Sequence, residues 1–199
     1  DEVHAPDAVT VSTGPAYQTP EWLPGDEIVL WDPASGVPLL STRLVRAAGA
    51  GAGGGRIRAT IADPLPALAP GRDLIRSTHV YNLSTQNRET AIRFNRIAGG
   101  RRFGFNVKAI GLLVEGNEFR DLASSAVYLE NEPSGWEGLV SRDVVVEGNR
   151  ISGCGFDAHS LELGRACIHV NTWRTVPLLS EVEWMGNRNI LIRRNAIAD

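Results

Sequence analysis

The chain has two textures of hydrophobic and polar positions. In residues 1–76 short runs rich in β-branched and apolar residues stand between turn residues: Ala8–Ser12, Glu27–Trp31, Ser41–Val45 and Arg56–Ile61. Nine of the eleven prolines fall here, together with the run Ala47-Ala48-Gly49-Ala50-Gly51-Ala52-Gly53-Gly54-Gly55. Proline and glycine at that density exclude long helices, because one removes a main-chain donor and the other favours the unfolded chain. Short strands with frequent turn signals predict a small antiparallel sheet or barrel-like domain, with the glycine-rich run as a hairpin tip.

Residues 77–199 carry an imperfect repeat instead. Ala91-Ile92-Arg93-Phe94-Asn95-Arg96-Ile97 is followed by Leu113-Val114-Glu115-Gly116-Asn117-Glu118-Phe119. Val145-Val146-Glu147-Gly148-Asn149-Arg150-Ile151 and Leu191-Ile192-Arg193-Arg194-Asn195-Ala196-Ile197 are two further copies. Each is a β-prone run, then Asn, one polar residue and one large apolar residue. The asparagines lie 22, 32 and 46 residues apart. Repetition at this period signals a solenoid, whose units bury their apolar faces only by stacking. A leucine-rich horseshoe would need several leucines at fixed offsets, which these copies lack. The expectation is an all-β chain: a right-handed parallel β-helix preceded or interrupted by a small antiparallel, barrel-like domain. Within each coil the Asn is expected to take a left-handed bend and to bond its equivalents in an amide ladder. Ile97, Phe119, Ile151 and Ile197 are expected to point inward and stack.

The growing spacing implies insertions, since the shortest interval already suffices for one coil. One segment follows the strand Ala126–Leu129 and holds Glu130-Asn131-Glu132-Pro133-Ser134-Gly135-Trp136-Glu137-Gly138. The other follows Ala166–Val170, with Asn171, Trp173 and Arg174, and runs on to Trp184 and Asn187. Both are expected to leave the coil at one corner. A smaller bulge is expected at 156–159. Tryptophans give flat apolar faces for the C–H side of a pyranose, and carboxylates, amides and guanidinium groups meet its hydroxyls. Trp136, Trp173, Glu130, Asn131 and Arg174 are therefore candidate sugar-binding residues, and Arg101 and Arg102, one coil earlier, border the same face. Tryptophans capping a solenoid edge are the structural alternative. Glycoside hydrolysis needs two carboxyl groups, roughly 6.5–9.5 Å apart in inverting enzymes. Glu130 and Glu132 would stand about 7 Å apart on one face of an extended strand.

Charge and rare residues remove several other functions. The net charge of −3 gives no broad phosphate-binding surface, so nucleic acid is not an expected partner. The glycine-rich run lacks the lysine and following hydroxyl residue of a phosphate loop. No stretch approaches the ~20 apolar residues of a membrane-spanning helix. His4, His79, His159, His169, Cys154 and Cys167 show no zinc-ligand spacing, so no metal or other cofactor is expected. The two cysteines read as buried thiols, with a disulfide as the alternative.

The Val114-Glu115-Gly116-Asn117-Glu118-Phe119 copy, the Arg101-Arg102 pair and the Trp136-Glu137-Gly138 stretch together resemble glycoside hydrolase family 110, the α-1,3-galactosidases. The segments Leu23-Pro24-Gly25-Asp26-Glu27-Ile28 and Asp63-Pro64-Leu65-Pro66 resemble the β-barrel inserted in that family's β-helix. Arg101-Arg102-Phe103-Gly104 is similar to its arginine-containing coil. Val114-Glu115-Gly116-Asn117-Glu118-Phe119, Trp136-Glu137-Gly138 and Arg142-Asp143-Val144 leading to Gly148-Asn149 complete the likeness. It implies an inverting hydrolase of terminal sugars on secreted or extracytoplasmic glycans, with Glu137 the best-matched carboxylate and Glu132 its partner. Where the family has a Gly-Asp pair, this chain has Glu130-Asn131-Glu132-Pro133, and it has no Asp-Asp pair. The resemblance would place the family's paired catalytic aspartates upstream of the barrel-like segment and make this chain a C-terminal portion. A polysaccharide lyase is one alternative, with Lys108 the sole lysine to serve as base; a non-catalytic carbohydrate-binding solenoid is another.

Overall fold

The computed structural model describes residues 8–13, 22–32, 37–49, 55–65, 78–131, 140–156, 166–172 and 186–198. Among these the chain is all-β, its only helical piece a 3-10 turn at Leu83–Thr85. The described residues group into two compact units that meet in the chain at Thr85 and Gln86.

The first unit is a five-stranded antiparallel sheet. Its strands are β1 (Ala8–Thr13), β2 (Glu27–Asp32), β3 (Val37–Gly49), β4 (Gly55–Ile61) and β5 (His79–Asn82), in the order β1-β4-β3-β2-β5. With β1 and β5 at its edges the sheet is a half-barrel. All four β-prone runs read from the first region are strands. Strand β3 is longer than the pattern implied, because a bulge between Leu44 and Arg46 lets its first half pair with β2 and its second half with β4. Ile28, Leu30, Leu44, Ala59 and Ile61 form the core of this unit. Leu23-Pro24-Gly25-Asp26 is a tight turn: the Asp26 amide donates to Leu23 O at 3.0 Å, and Gly25 has φ 92°. Proline then glycine at the two central positions suit that turn, the second needing positive φ. The Asp26 carboxylate closes the turn by accepting from Leu23 N and from Asn82 Nδ2 of β5. Strand β5 therefore belongs to this unit, although the sequence texture changes before it.

The second unit consists of parallel sheets. Its strands are β6 (Asn87–Arg93), β7 (Arg96–Ala98), β8 (Phe105–Asn106), β9 (Ala109–Glu115), β10 (Glu118–Leu122), β11 (Val127–Asn131), β12 (Arg142–Glu147), β13 (Arg150–Cys154), β14 (Ile168–Thr172), β15 (Arg188–Arg193) and β16 (Ala196–Ala198). They form three sheets, β6-β9-β12-β15, β7-β10-β13-β16 and β8-β11-β14, so the chain visits each sheet in turn and repeats the circuit. Register keeps repeat equivalents together: Ile97, Phe119, Ile151 and Ile197 are successive partners. Phe119 and Ile151 are buried, whereas Ile197, in the last circuit, is 56% exposed. Around them Leu112, Val114, Leu122, Val127, Leu129, Val144 and Val146 close the core. Burying each such side chain stabilises by roughly 1.5–3 kcal/mol, which supplies most of the cohesion between circuits.

The asparagines form the expected ladder. Asn117 Oδ1 accepts from Asn95 N and Nδ2, both at 3.0 Å; Asn149 Oδ1 accepts from Asn117 N at 2.9 Å and Nδ2 at 3.0 Å. Asn195 Oδ1 repeats the pattern with Asn149 N at 3.0 Å and Nδ2 at 2.8 Å. Each inner Nδ2 also donates to a carbonyl of the preceding circuit: Asn117 to Ile92 O, Asn149 to Val114 O and Asn195 to Val146 O.

The left-handed bend is not at the asparagine, however. It lies one residue earlier, at Phe94 (φ 56°), Gly116 (63°), Gly148 (64°) and Arg194 (56°). The Asn is thereby free to keep its amide in the ladder, and the strained position falls to glycine in two circuits. Two further left-handed positions recur in register, at Glu89, Gly111, Asp143 and Asn189, and at Gly99, Asp121 and Gly153. Successive circuits thus bend at the same places.

Candidate functional site

Alternation along β11 and β14 sorts their side chains to two faces. Val127 and Leu129 enter the core, so Tyr128 and Glu130 lie on the opposite face. In β14 Ile168 packs on the core, so His169 and Asn171 share that second face. The register pairs Tyr128 with Asn106 of β8 on one side and His169 on the other, and Glu130 with Asn171.

An aromatic column runs across these circuits. The Phe103 and Tyr128 rings stack with centroids 4.2 Å apart and an interplanar angle of 25°. Tyr128 and His169 stack at 4.7 Å and 16°. The Arg102 guanidinium lies over the outer end, 5.4 Å from the Phe103 centroid, within cation–π range.

Glu130 sits beside the column, 6% exposed. Its Oε2 accepts a hydrogen bond from the Tyr128 hydroxyl and lies 3.1 Å from His169 Nε2. Burial pushes the carboxyl upward. Hydrogen bonds from His169 and Tyr128, the charge of His169 and a hydrogen bond from Asn171 outweigh that burial and hold it below the ordinary carboxylate value. Glu130 is therefore an anion at neutral pH, suited to orient a neighbour rather than to donate a proton.

The ends of β11 and β14 are tied to the next circuit by Asn187. Its Nδ2 donates to Asn171 O at 2.6 Å and Leu129 O at 3.3 Å, and its Oδ1 accepts from Ser141 N at 2.7 Å. Asn131 and Thr172, the last residues of the two strands, are register partners. The two segments expected to carry the sugar cleft begin immediately after them.

Of the site residues read from sequence, Glu130, Asn131, Arg101 and Arg102 are described. Arg101 and Arg102 are exposed, Arg102 at the head of the column. Asn131 is fully buried at the strand end. Glu132, Trp136, Glu137, Trp173 and Arg174 lie outside the described residues, as do positions 157–159 of the expected bulge. Among the described residues no group of three His, Cys, Asp or Glu side chains could hold a metal ion. Cys154 and Cys167 are thiols, not joined in a disulfide.

The sequence reading passed over Phe103, Tyr128 and His169. Their signal was the two-residue alternation in Val127-Tyr128-Leu129-Glu130 and Ile168-His169-Val170-Asn171, visible only once the two strands are aligned. Compared with models of known protein families and with curated proteins, the chain matches none.

Proposed function

We propose that this chain is a right-handed parallel β-helix acting as an inverting glycoside hydrolase on terminal sugars of extracytoplasmic glycans, similar to the α-1,3-galactosidases. The handedness follows from the general rule for parallel strands of one sheet joined by a crossover, of which β9 to β12 is an instance. Glu137 and Glu132 are the carboxylates expected to act, with Trp136 and Trp173 as stacking platforms and Arg102 and Arg174 as hydroxyl ligands.

The observation that carries the reading is the register pairing of Asn131 with Thr172. It starts the Glu132–Glu137 segment and the Trp173–Arg174 segment from neighbouring strand ends, beside a face that bears Arg102, His169 and Asn171. Convergent polar groups on a rigid sheet face, with loops at one end, are where saccharide sites are built.

The test is release of aryl alcohol from aryl α- and β-glycosides, galactosides included. Glu137→Gln is expected to abolish turnover while leaving sugar-induced quenching of tryptophan fluorescence intact. Quenching by sugars without any turnover would sink the hydrolase and leave a carbohydrate-binding solenoid.

A further inference from the structure

We infer that His169 is the proton-accepting catalytic residue of this face, with Glu130 and Tyr128 as its positioning residues. The inference rests on the reading of the chain as a glycan-cleaving enzyme. It departs from the sequence reading in giving water activation to His169 rather than to a second carboxylate.

Three observations lead to it. First, Glu130 Oε2 is 3.1 Å from His169 Nε2. A carboxylate in that position accepts a hydrogen bond from Nε2–H of the neutral ring, which leaves the Nδ1 lone pair to accept a proton. Nδ1 has no hydrogen-bond partner among the described residues. Second, the imidazole is held from two directions: stacked 4.7 Å from Tyr128 and bonded to a carboxylate that Tyr128 itself pins. A ring fixed in plane and tautomer by a buried carboxylate is the arrangement that makes histidine a base rather than a mere contact. Third, the His169 side chain keeps 17% of its surface exposed while Glu130 keeps 8%, so the ring is the more accessible of the two.

Elsewhere in the unit adjacent circuits are joined by apolar stacking, by the asparagine ladder and by Arg–Glu pairs, none of which buries a carboxylate as deeply as Glu130. Burying an ionised carboxylate costs several kcal/mol before its partners compensate, and an apolar pair would join the circuits without that cost. A Tyr–Glu–His set of this geometry is suited to proton transfer.

In hydrolysis the water oxygen forms a bond to the anomeric carbon as the bond from that carbon to the leaving oxygen breaks. The water proton passes to His169 Nδ1, and the leaving oxygen takes a proton from a carboxylic acid, which solvent then reprotonates. The imidazolium, stabilised by Glu130, then returns its proton to solvent.

Two measurements test this. Nitrogen NMR of the wild-type protein should show neutral His169 protonated at Nε2 and bare at Nδ1, with that preference lost in Glu130→Gln. Kinetics on aryl glycosides and, separately, on polyuronates should show His169→Gln lowering kcat by about 100-fold or more with KM within about threefold, as expected for removal of a general base. The acidic limb of the pH–kcat profile should vanish in that variant, and added imidazole should partly restore His169→Gly.

Cleavage of polyuronate to an unsaturated product, lost in His169→Gln, would support His169 as the base while overturning the hydrolase reading. A ring protonated at Nδ1, a His169→Gln enzyme within fivefold of wild type, or a wild-type protein that turns over neither substrate class would each overturn the inference.

Discussion

Removing one rung of the asparagine ladder should cost stability in proportion to the number of buried groups it strands. Asn149 is the most demanding rung. Its Oδ1 accepts from Asn117 N and Nδ2, and its Nδ2 donates to Val114 O and Asn195 Oδ1. Asn149, Asn117 and Val114 are all buried, so water cannot replace these partners freely. At about 1 kcal/mol net per hydrogen bond, with a further penalty for each buried donor or acceptor left unpaired, Asn149→Ala should lose about 4–6 kcal/mol.

Asn117→Ala strands Ile92 O and two donors on the exposed Asn95, and should cost about 3–5 kcal/mol. Asn195→Ala should cost about 3 kcal/mol, through Asn149 N, Asn149 Nδ2 and Val146 O. Asn95 only donates, to Asn117 Oδ1 and Arg93 O, from an exposed position, and its removal should cost about 1 kcal/mol. Amide hydrogen exchange of β10 and β13 under increasing urea reads the second unit by itself. The ordering Asn149, Asn117, Asn195, Asn95 is the prediction. If Asn149→Ala lies within about 1 kcal/mol of Asn95→Ala, the ladder does not hold the circuits together and apolar stacking alone does.

Three further outcomes follow from the same geometry. Gly148→Ala should destabilise by about 1 kcal/mol through its positive φ alone, since its nearest neighbour, Gly116 N, would be 4.0 Å from an added Cβ. Gly116→Ala should cost a few tenths of a kcal/mol more, because its Cβ would meet the Phe94 ring at 2.6 Å and that exposed ring must swing aside; equal urea midpoints would refute the difference. Glu130 has a folded pKa below its unfolded value, so its stabilisation is complete above the ordinary carboxylate pKa of 4.5 and is lost as pH falls through the folded value. Wild-type stability should therefore fall more steeply than that of Glu130→Gln on acidification below pH 4.5, and parallel pH profiles would count against the pairing. Burial raises the Cys154 thiol above its ordinary value, so native Cys154 should alkylate more slowly at neutral pH than in urea, with no Cys154–Cys167 disulfide detected by mass spectrometry.

Local chemistry alone determined much of this chain. Pro24-Gly25 dictates a turn wherever it occurs, and the short β-branched runs between prolines and glycines can only be strands. The period of Asn, polar, apolar marked the circuits because a stacked amide ladder tolerates no other side chain of that reach and hydrogen-bonding capacity. The inward residues Phe119 and Ile151 were legible for the same reason: they sit at a constant offset from the asparagine.

What only the tertiary structure decided depends on alignment between distant residues. Positive φ falls on Phe94 and Arg194 although neither favours it, because stacking on Gly116 and Gly148 holds each circuit to its neighbour's path. In sequence His169 is one of four scattered histidines, and Tyr128 an ordinary strand residue. Parallel pairing of β11 with β14 converts the 39-position separation of Glu130 and His169 into a 3.1 Å contact, and sets Tyr128 against the same carboxylate. Strand pairing is a non-local choice, set by which register buries Val127 and Leu129 beside Ile168. The face opposite that core acquires its chemistry only after the register is set.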